Sequence, residues 1–241
     1  MKFWVGTSGW SYQNWKGSFY PKGLKYIDWL SYDSQHLYSL EVNNSFYMLP
    51  SVKTLGRWTN TVPETFLFSV KALSLITHKK RLLNCEQVLE EFFSRMQLLR
   101  QCKLILFQLP QSFYKNLERL TNFIKLLPST YHYAFEFRHP SWWSEEIYNV
   151  LRAYHIAFCI FEWGELISPR IVTTDFLYIR LHGNKEPYKG QYSNMTLQAW
   201  ATWIRAQNRN TYIYFDNTFI ADDAIKNAME LHHKLLDKVN K

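Results

Sequence analysis

Along YAFEFRHPSWW, residues 133–143, charged and aromatic side chains alternate as Phe135, Glu136, Phe137, Arg138. Successive side chains on a strand point to opposite faces, so Glu136 and Arg138 share one face and the two phenyl rings the other. The same parity closes other apolar runs: Glu41 with Asn43, Ser69 with Lys71, Arg180 with His182, and Asp216 after Tyr214, while Gln108 ends its own run. Arg138, Arg180 and Lys71 could grip a carboxylate or phosphate, because a guanidinium binds such groups with two parallel hydrogen bonds and an ammonium adds a compact charge. Glu41 and Glu136 could then act as general base and acid, with His182 as a further proton carrier.

Several alternatives use the same residues. A charge removed from water costs several kcal/mol unless paired, so this set should form a mutual network, and ion pairs that merely close one end of the fold would look similar. Glycosidases also pair two carboxylates, but the surrounding cations suit a neutral sugar less well. Glu41, Glu136, His182 and Asp216 offer donors for a divalent metal ion. No H-x-H or H-E-x-x-H spacing accompanies them, and the cations would repel a metal. No cofactor is predicted, and a divalent metal stays as the alternative.

The segments after these strand ends are candidates for substrate contact. GTSGWSYQNWKGSFYP gathers Trp10, Tyr12, Trp15, Phe19 and Tyr20, which could stack a base or sugar, or pack as a lid. NNSFYMLPS offers Asn44, Ser45 and Tyr47, with Ser51 placed to cap a helix. THKKR carries His78, and HGNKEPYKGQYS carries Tyr188 and Tyr192 among glycines and lysines, the composition of a mobile lid or of a plain exposed loop.

Positioning these groups requires regular elements. Strand-like runs recur at 3–7, 38–43, 66–71, 103–108, 132–138, 156–161, 176–182 and 211–216, and helical patterns lie between most of them. Asn84 and Gln87 read as a capping pair before a stripe of Val88, Phe92, Met96 and Leu99. Leu117, Leu120, Ile124 and Leu127 mark a helix stopped by Pro128, and Ser144 precedes one carrying Ile147, Leu151 and Tyr154. Leu197, Trp200 and Ile204 mark another, and residues 222–236 form the last. EWGELISPRIVTTDF, after the sixth strand, offers no helix. Eight alternations with one abbreviated helix favour an α/β fold, a single (β/α)8 TIM barrel over residues 1–241, close to the ~250 residues typical of that fold. An open doubly wound sheet is the alternative, though no G-x-G-x-x-G follows a strand.

The bulk composition agrees. With 47% hydrophobic and 18% aromatic residues, the 241-residue chain is a folded globule rather than a disordered segment. A net charge of +8 favours an anionic small molecule, nucleic acid or acidic protein as partner, and equally fits a soluble protein that is simply basic. Cys85, Cys102 and Cys159 are odd in number and widely spaced, which suits core thiols in a reducing compartment. MKFWVGTSGW has no apolar signal-peptide region, and no run of about 18 apolar residues could span a bilayer, so a cytoplasmic location and no membrane partner are expected.

GTSGWSYQNWKGSFYP, EVNNSFYMLPS, FSVKA with TH at 77–78, LFQLP, FEFRHPSWW, YIRLHG and YFDNT together resemble the YecE-like family, domain of unknown function 72. The resemblance runs through nearly the whole chain and implies a TIM barrel, without supplying a reaction. It also implies a polar mouth made of Ser8, Glu41, Asn43, Ser45, Lys71, His78, Gln108, Glu136, Arg138, Arg180, His182 and Asn217. At Asp216 the family more commonly has asparagine, and at Glu162 aspartate. The charge arrangement, rather than the resemblance, leads to the expected function: a hydrolase or phosphodiesterase-like enzyme on an anionic, phosphorylated or nucleic-acid substrate. The rivals are a non-catalytic nucleic-acid binding module and an interaction scaffold.

Overall fold

The structure, a computed structural model, describes residues 1–237. The strands are β1 (Phe3–Ser8), β2 (Ser39–Val42), β3 (Leu67–Lys71), β4 (Cys102–Leu109), β5 (His132–Phe137), β6 (Ala157–Phe158), β7 (Ile160–Trp163), β8 (Leu166–Ile167), β9 (Phe176–Leu181) and β10 (Asn210–Phe215). The helices are α1 (Trp29–Asp33), α2 (Val52–Thr61), α3 (Glu86–Met96), α4 (Leu117–Ile124), α5 (Glu145–Ala153), α6 (Asn194–Gln207) and α7 (Asp223–Leu236). Two compact units result, the first made of Met1–Glu41, Phe161–Ser168 and Asp175–Lys241, the second of Val42–Ile160 and Pro169–Thr174.

In the first unit, β1 pairs in parallel with β10 on one side and with residues 39–41 of β2 on the other, and β9 pairs with the far side of β10. Gly6 is required by this pairing, since a Cβ there would meet the Ser39 carbonyl oxygen at 1.8 Å. Helix α6 begins where Ser193 accepts the Thr196 N–H at 3.2 Å and ends at Asn208, whose φ of 51° is the left-handed stop. It buries Leu197, Trp200 and Ile204, and α7 buries Ala224, Ala228, Leu231 and Leu235.

In the second unit, β3, β4, β5 and β6 run parallel in sequence order. The aromatic excess goes largely into the layer between strands and helices: Phe135 faces Phe123 of α4 at 6.2 Å, Phe137 stacks on Trp142 at 4.9 Å, and Phe158 meets Tyr148 of α5 at 5.3 Å. Burying such side chains stabilises by ~1.5–3 kcal/mol each. Ser51 caps α2 by accepting the Thr54 N–H at 3.1 Å, and Asn116 caps α4 through the Arg119 N–H at 2.9 Å.

Some local expectations fail for identifiable reasons. Asn84 adopts φ 50°, outside the extended conformation of a capping residue, so α3 opens after Cys85 without the Asn84–Gln87 pair. Ser144 occupies the cap position of α5 but makes no side-chain capping bond. Leu117 and Tyr154 sit at helix ends and are exposed. The helix-poor segment after the sixth strand folds into a hairpin, Glu162 opposite Ile167 and Trp163 opposite Leu166, with Gly164 at φ 59° in the turn. All three cysteines are buried thiols outside any disulfide. Among the described residues no helix is long and apolar enough to cross a membrane.

Candidate functional site

The proposed polar residues fall into two groups, one in each unit. In the first, Glu41 is wholly buried at the end of β2. One carboxylate oxygen accepts from Ser8 Oγ at 2.5 Å and from Arg180 Nε and Nη2 at 3.1 and 2.7 Å; the other accepts from the Tyr178 hydroxyl at 2.6 Å. Burial, then the Glu41 charge, pushes the Tyr178 phenol well above its ordinary range, so it stays a donor. Arg180 also stands 3.6 Å from Asp216, and the buried His182 Nδ1 lies 2.9 Å from the same Asp216 oxygen. The result is a carboxylate–guanidinium–carboxylate–imidazole series along the ends of β2, β9 and β10.

Around this series, Tyr12 donates to the Ser8 carbonyl at 2.6 Å, and its phenol is raised by burial and by the nearby Asp216 charge. Trp10 is buried, and its carbonyl receives the Tyr20 hydroxyl at 2.8 Å. Trp15 and Tyr20 are wholly buried, and Tyr20 stacks on Trp29 at 4.4 Å, so this part of the aromatic loop is a small core. Asn217 Nδ2 donates to the Gly190 carbonyl at 2.8 Å and to Asn227 Oδ1 at 3.0 Å. Tyr188 sits edge-on to His182 at 5.7 Å.

In the second unit, Arg138 Nε donates to Glu136 at 2.6 Å just beyond β5, and Cys159 Sγ lies 3.9 Å from the other Glu136 oxygen. Lys71 Nζ lies 4.2 Å from the centre of the Phe46 ring, a cation–π distance. Ser45 donates to the carbonyls of Val42 and Lys71 at 2.9 and 2.7 Å, fixing the turn that carries Phe46. Asn43 is half-buried and its carbonyl accepts the Phe46 N–H at 3.1 Å. Gln108 is buried, and its amide donates to the Leu109 carbonyl at 3.0 Å.

His78 lies in a π-helical turn, edge-on to Phe46 at 4.8 Å, with Nδ1 2.9 Å from Thr77 Oγ1. Partial burial, then the charges of Lys71 and Arg138, lowers its pKa to about 4. A lowered folded-state pKa means that the unfolded chain binds the extra proton between about pH 6.5 and 4. Stability should therefore fall on acidification through that window. His78→Gln should flatten this part of the profile, as read by urea denaturation at pH 7, 5.5 and 4; an unchanged slope would show that His78 is not its source.

Tyr178, Asn227 and Asn14 did not stand out in the sequence. Tyr178 shares the parity of Arg180 and His182, so its signal was present in the alternation. Asn227, buried on α7, accepts the Tyr192 N–H at 3.0 Å and donates to its carbonyl at 3.2 Å, a role that a lone helical asparagine does not announce. Among the described residues, no group of three or more His, Cys, Asp or Glu side chains is close enough together to hold a metal ion.

Known proteins resemble this chain at several levels. The family described as Protein of unknown function DUF72 matches residues 4–241. UPF0759 protein YecE of Escherichia coli K12 is 28% identical over 155 residues, 63% of this chain and 54% of that protein, so the match spans about half the length of that curated relative. The crystal structure of a DUF72 family protein from Thermotoga maritima superposes with a TM-score of 0.88 at 30% identity, covering 98% of this chain and all of that one. More distant likenesses show the fold alone. They are a family 2 AP endonuclease from Brucella melitensis (TM-score 0.58, 8% identity, 92% of this chain and 95% of that one) and a protein described as a xylose isomerase-like TIM barrel/4-hydroxyphenylpyruvate dioxygenase fusion (0.52, 12%, 98% and 42%). The fold is thus of the α/β TIM-barrel class. On the match over residues 4–241, this chain belongs to the DUF72 family, which includes the YecE proteins.

Proposed function

We propose that this protein is an enzyme acting on a phosphate-bearing anion, with phosphoester hydrolysis as the reaction class. The observation that carries this reading is where the charge sits. The second unit holds 15 Lys and Arg against 8 Asp and Glu, a net of +7, leaving 13 against 12 and a net of +1 for the rest of the chain. Within that unit Lys71, Arg138 and Arg81 lie near enough to His78 to oppose its protonation. A guanidinium fork beside an ammonium matches the oxygens of a phosphate. Proton transfer is assigned to Glu136 of the same unit, whose carboxylate accepts from Arg138 Nε at 2.6 Å. In the first unit, taken by itself, Glu41 is engaged by Ser8, Tyr178 and Arg180 and positions Arg180. That one fold neighbour is an AP endonuclease makes a nucleic-acid phosphodiester the first substrate to try.

Calorimetric titration of phosphorylated and neutral forms of one ligand into wild type and Arg138→Ala tests the anion grip. Loss of a charge-assisted hydrogen bond worth ~1.5–3 kcal/mol should weaken the phosphorylated form by roughly 10- to 150-fold and leave the neutral form unchanged. Equal affinity in all four combinations would remove the reading. A non-catalytic nucleic-acid module is the second reading, favoured by exposed Tyr114 lying 4.1 Å from His139 and by Arg81 and Arg119 at 5.9 and 5.7 Å from the Phe113 ring. Steep salt dependence of oligonucleotide binding without turnover would select it.

A further inference from the structure

The loops that follow β4 and β5 in the second unit hold each other in place and present one open ring. Trp142 Nε1 donates to the Phe113 carbonyl at 2.5 Å, and the two rings meet edge to face at 5.3 Å. Two residues on, the Lys115 N–H donates to Ser141 Oγ at 2.8 Å. The backbone of Tyr114 is therefore fixed on both sides. Its ring lies 4.1 Å from the ring of His139, which is itself held, its Nδ1 accepting the Ser141 N–H at 3.1 Å. Tyr114 nevertheless stays 66% exposed. Two cations border this platform: Arg81 and Arg119 stand 5.9 and 5.7 Å from the Phe113 ring, and Arg81 Nη2 donates to Ser112 Oγ at 3.2 Å. Arg81 also adds to the burial, Lys71 and Arg138 that lower the His78 pKa, so it links the open ring to the anion grip inside one unit.

We infer that Tyr114, backed by His139, is a stacking subsite for a planar heteroaromatic ring of the substrate, such as the base of a nucleotide. A ring fixed before binding loses little freedom when a flat ligand covers it. Stacking demands no particular hydrogen-bond pattern, and the neighbouring guanidinium groups favour a ligand that carries phosphate. This assignment rests on the proposed phosphate-bearing substrate and extends it to a base-bearing one.

The test is titration of adenosine 5′-monophosphate, ribose 5-phosphate and adenosine into wild type, Tyr114→Ala and Tyr114→Trp. In wild type the nucleotide should bind roughly 5- to 150-fold more tightly than the sugar phosphate, the range expected for one base stack. Tyr114→Ala should abolish that difference without weakening ribose 5-phosphate, and Tyr114→Trp should keep it. Equal binding of nucleotide and sugar phosphate by wild type, or a difference that survives in Tyr114→Ala, would overturn the subsite and leave the anion grip standing. Binding of adenosine that is lost in Tyr114→Ala, with no binding of ribose 5-phosphate, would support the subsite and remove the anion grip. No binding of either adenosine or the nucleotide would overturn the subsite.

Discussion

Glu41→Ala should lower the unfolding free energy by about 3–5 kcal/mol, the cost of leaving a buried partner charge uncompensated. Arg180 is wholly buried, and its Nη2 stands 3.6 Å from Asp216, farther than the 2.7 Å to Glu41. The buried Tyr178 and Ser8 hydroxyls lose the same acceptor, and orphaned buried donors cost about 1–3 kcal/mol each when nothing replaces it. Relaxation and entering water should keep the total within the stated range. Replacing both ends, Glu41→Gln with Arg180→Met, should cost less than the two single changes added, because the two paired charges are removed together. Urea denaturation of wild type, Glu41→Ala, Glu41→Gln, Arg180→Met and the double variant at pH 7 reads these differences. A Glu41→Ala loss below about 1 kcal/mol would show that the pair is hydrated rather than locked.

Asp33→Asn should do the opposite, stabilising the protein progressively as the pH rises. Asp33 is wholly buried at the last position of α1, where the helix dipole disfavours a negative charge. Its Oδ2 lies 3.4 Å from the Tyr20 hydroxyl, a long contact, while that hydroxyl is 2.8 Å from the Trp10 carbonyl. Burial, only partly offset by the Tyr20 hydroxyl, raises the carboxyl pKa to about 8. The folded chain then holds a proton that the unfolded chain releases near pH 4, so this contribution to stability is complete at low pH and is lost as the pH climbs to about 8. The slope is about 1.4 kcal/mol per pH unit, so the stability difference between Asp33→Asn and wild type should grow by about 4 kcal/mol from pH 5 to pH 8. Measuring both proteins at both pH values cancels other titrating groups, His78 among them. A difference that does not change with pH would place a charged, solvated carboxylate at this position.

The alternation of side chains was legible without coordinates because it is a local property of extended backbone. It placed Phe135 and Phe137 on the face that meets the helices and Glu136 and Arg138 on the other, and it contained the overlooked Tyr178. The cap at Ser51 and the absence of a helix after the sixth strand were legible for the same reason, since both depend on a few neighbouring residues. Which charge meets which was not: Glu41 and Arg180 are 139 residues apart, and no local pattern records that pairing. The solvent exposure of a side chain was equally hidden, because it is set by what packs above it. Asp33 has an ionisable side chain yet is wholly enclosed, whereas Phe219 is apolar and stands in solvent. The sequence by itself determined the strand–helix order and which side of each strand its charges occupy, through backbone geometry alone. Only the tertiary structure decided the partners, burial and ionisation of those charges, because these depend on distance and dielectric between segments far apart in the chain.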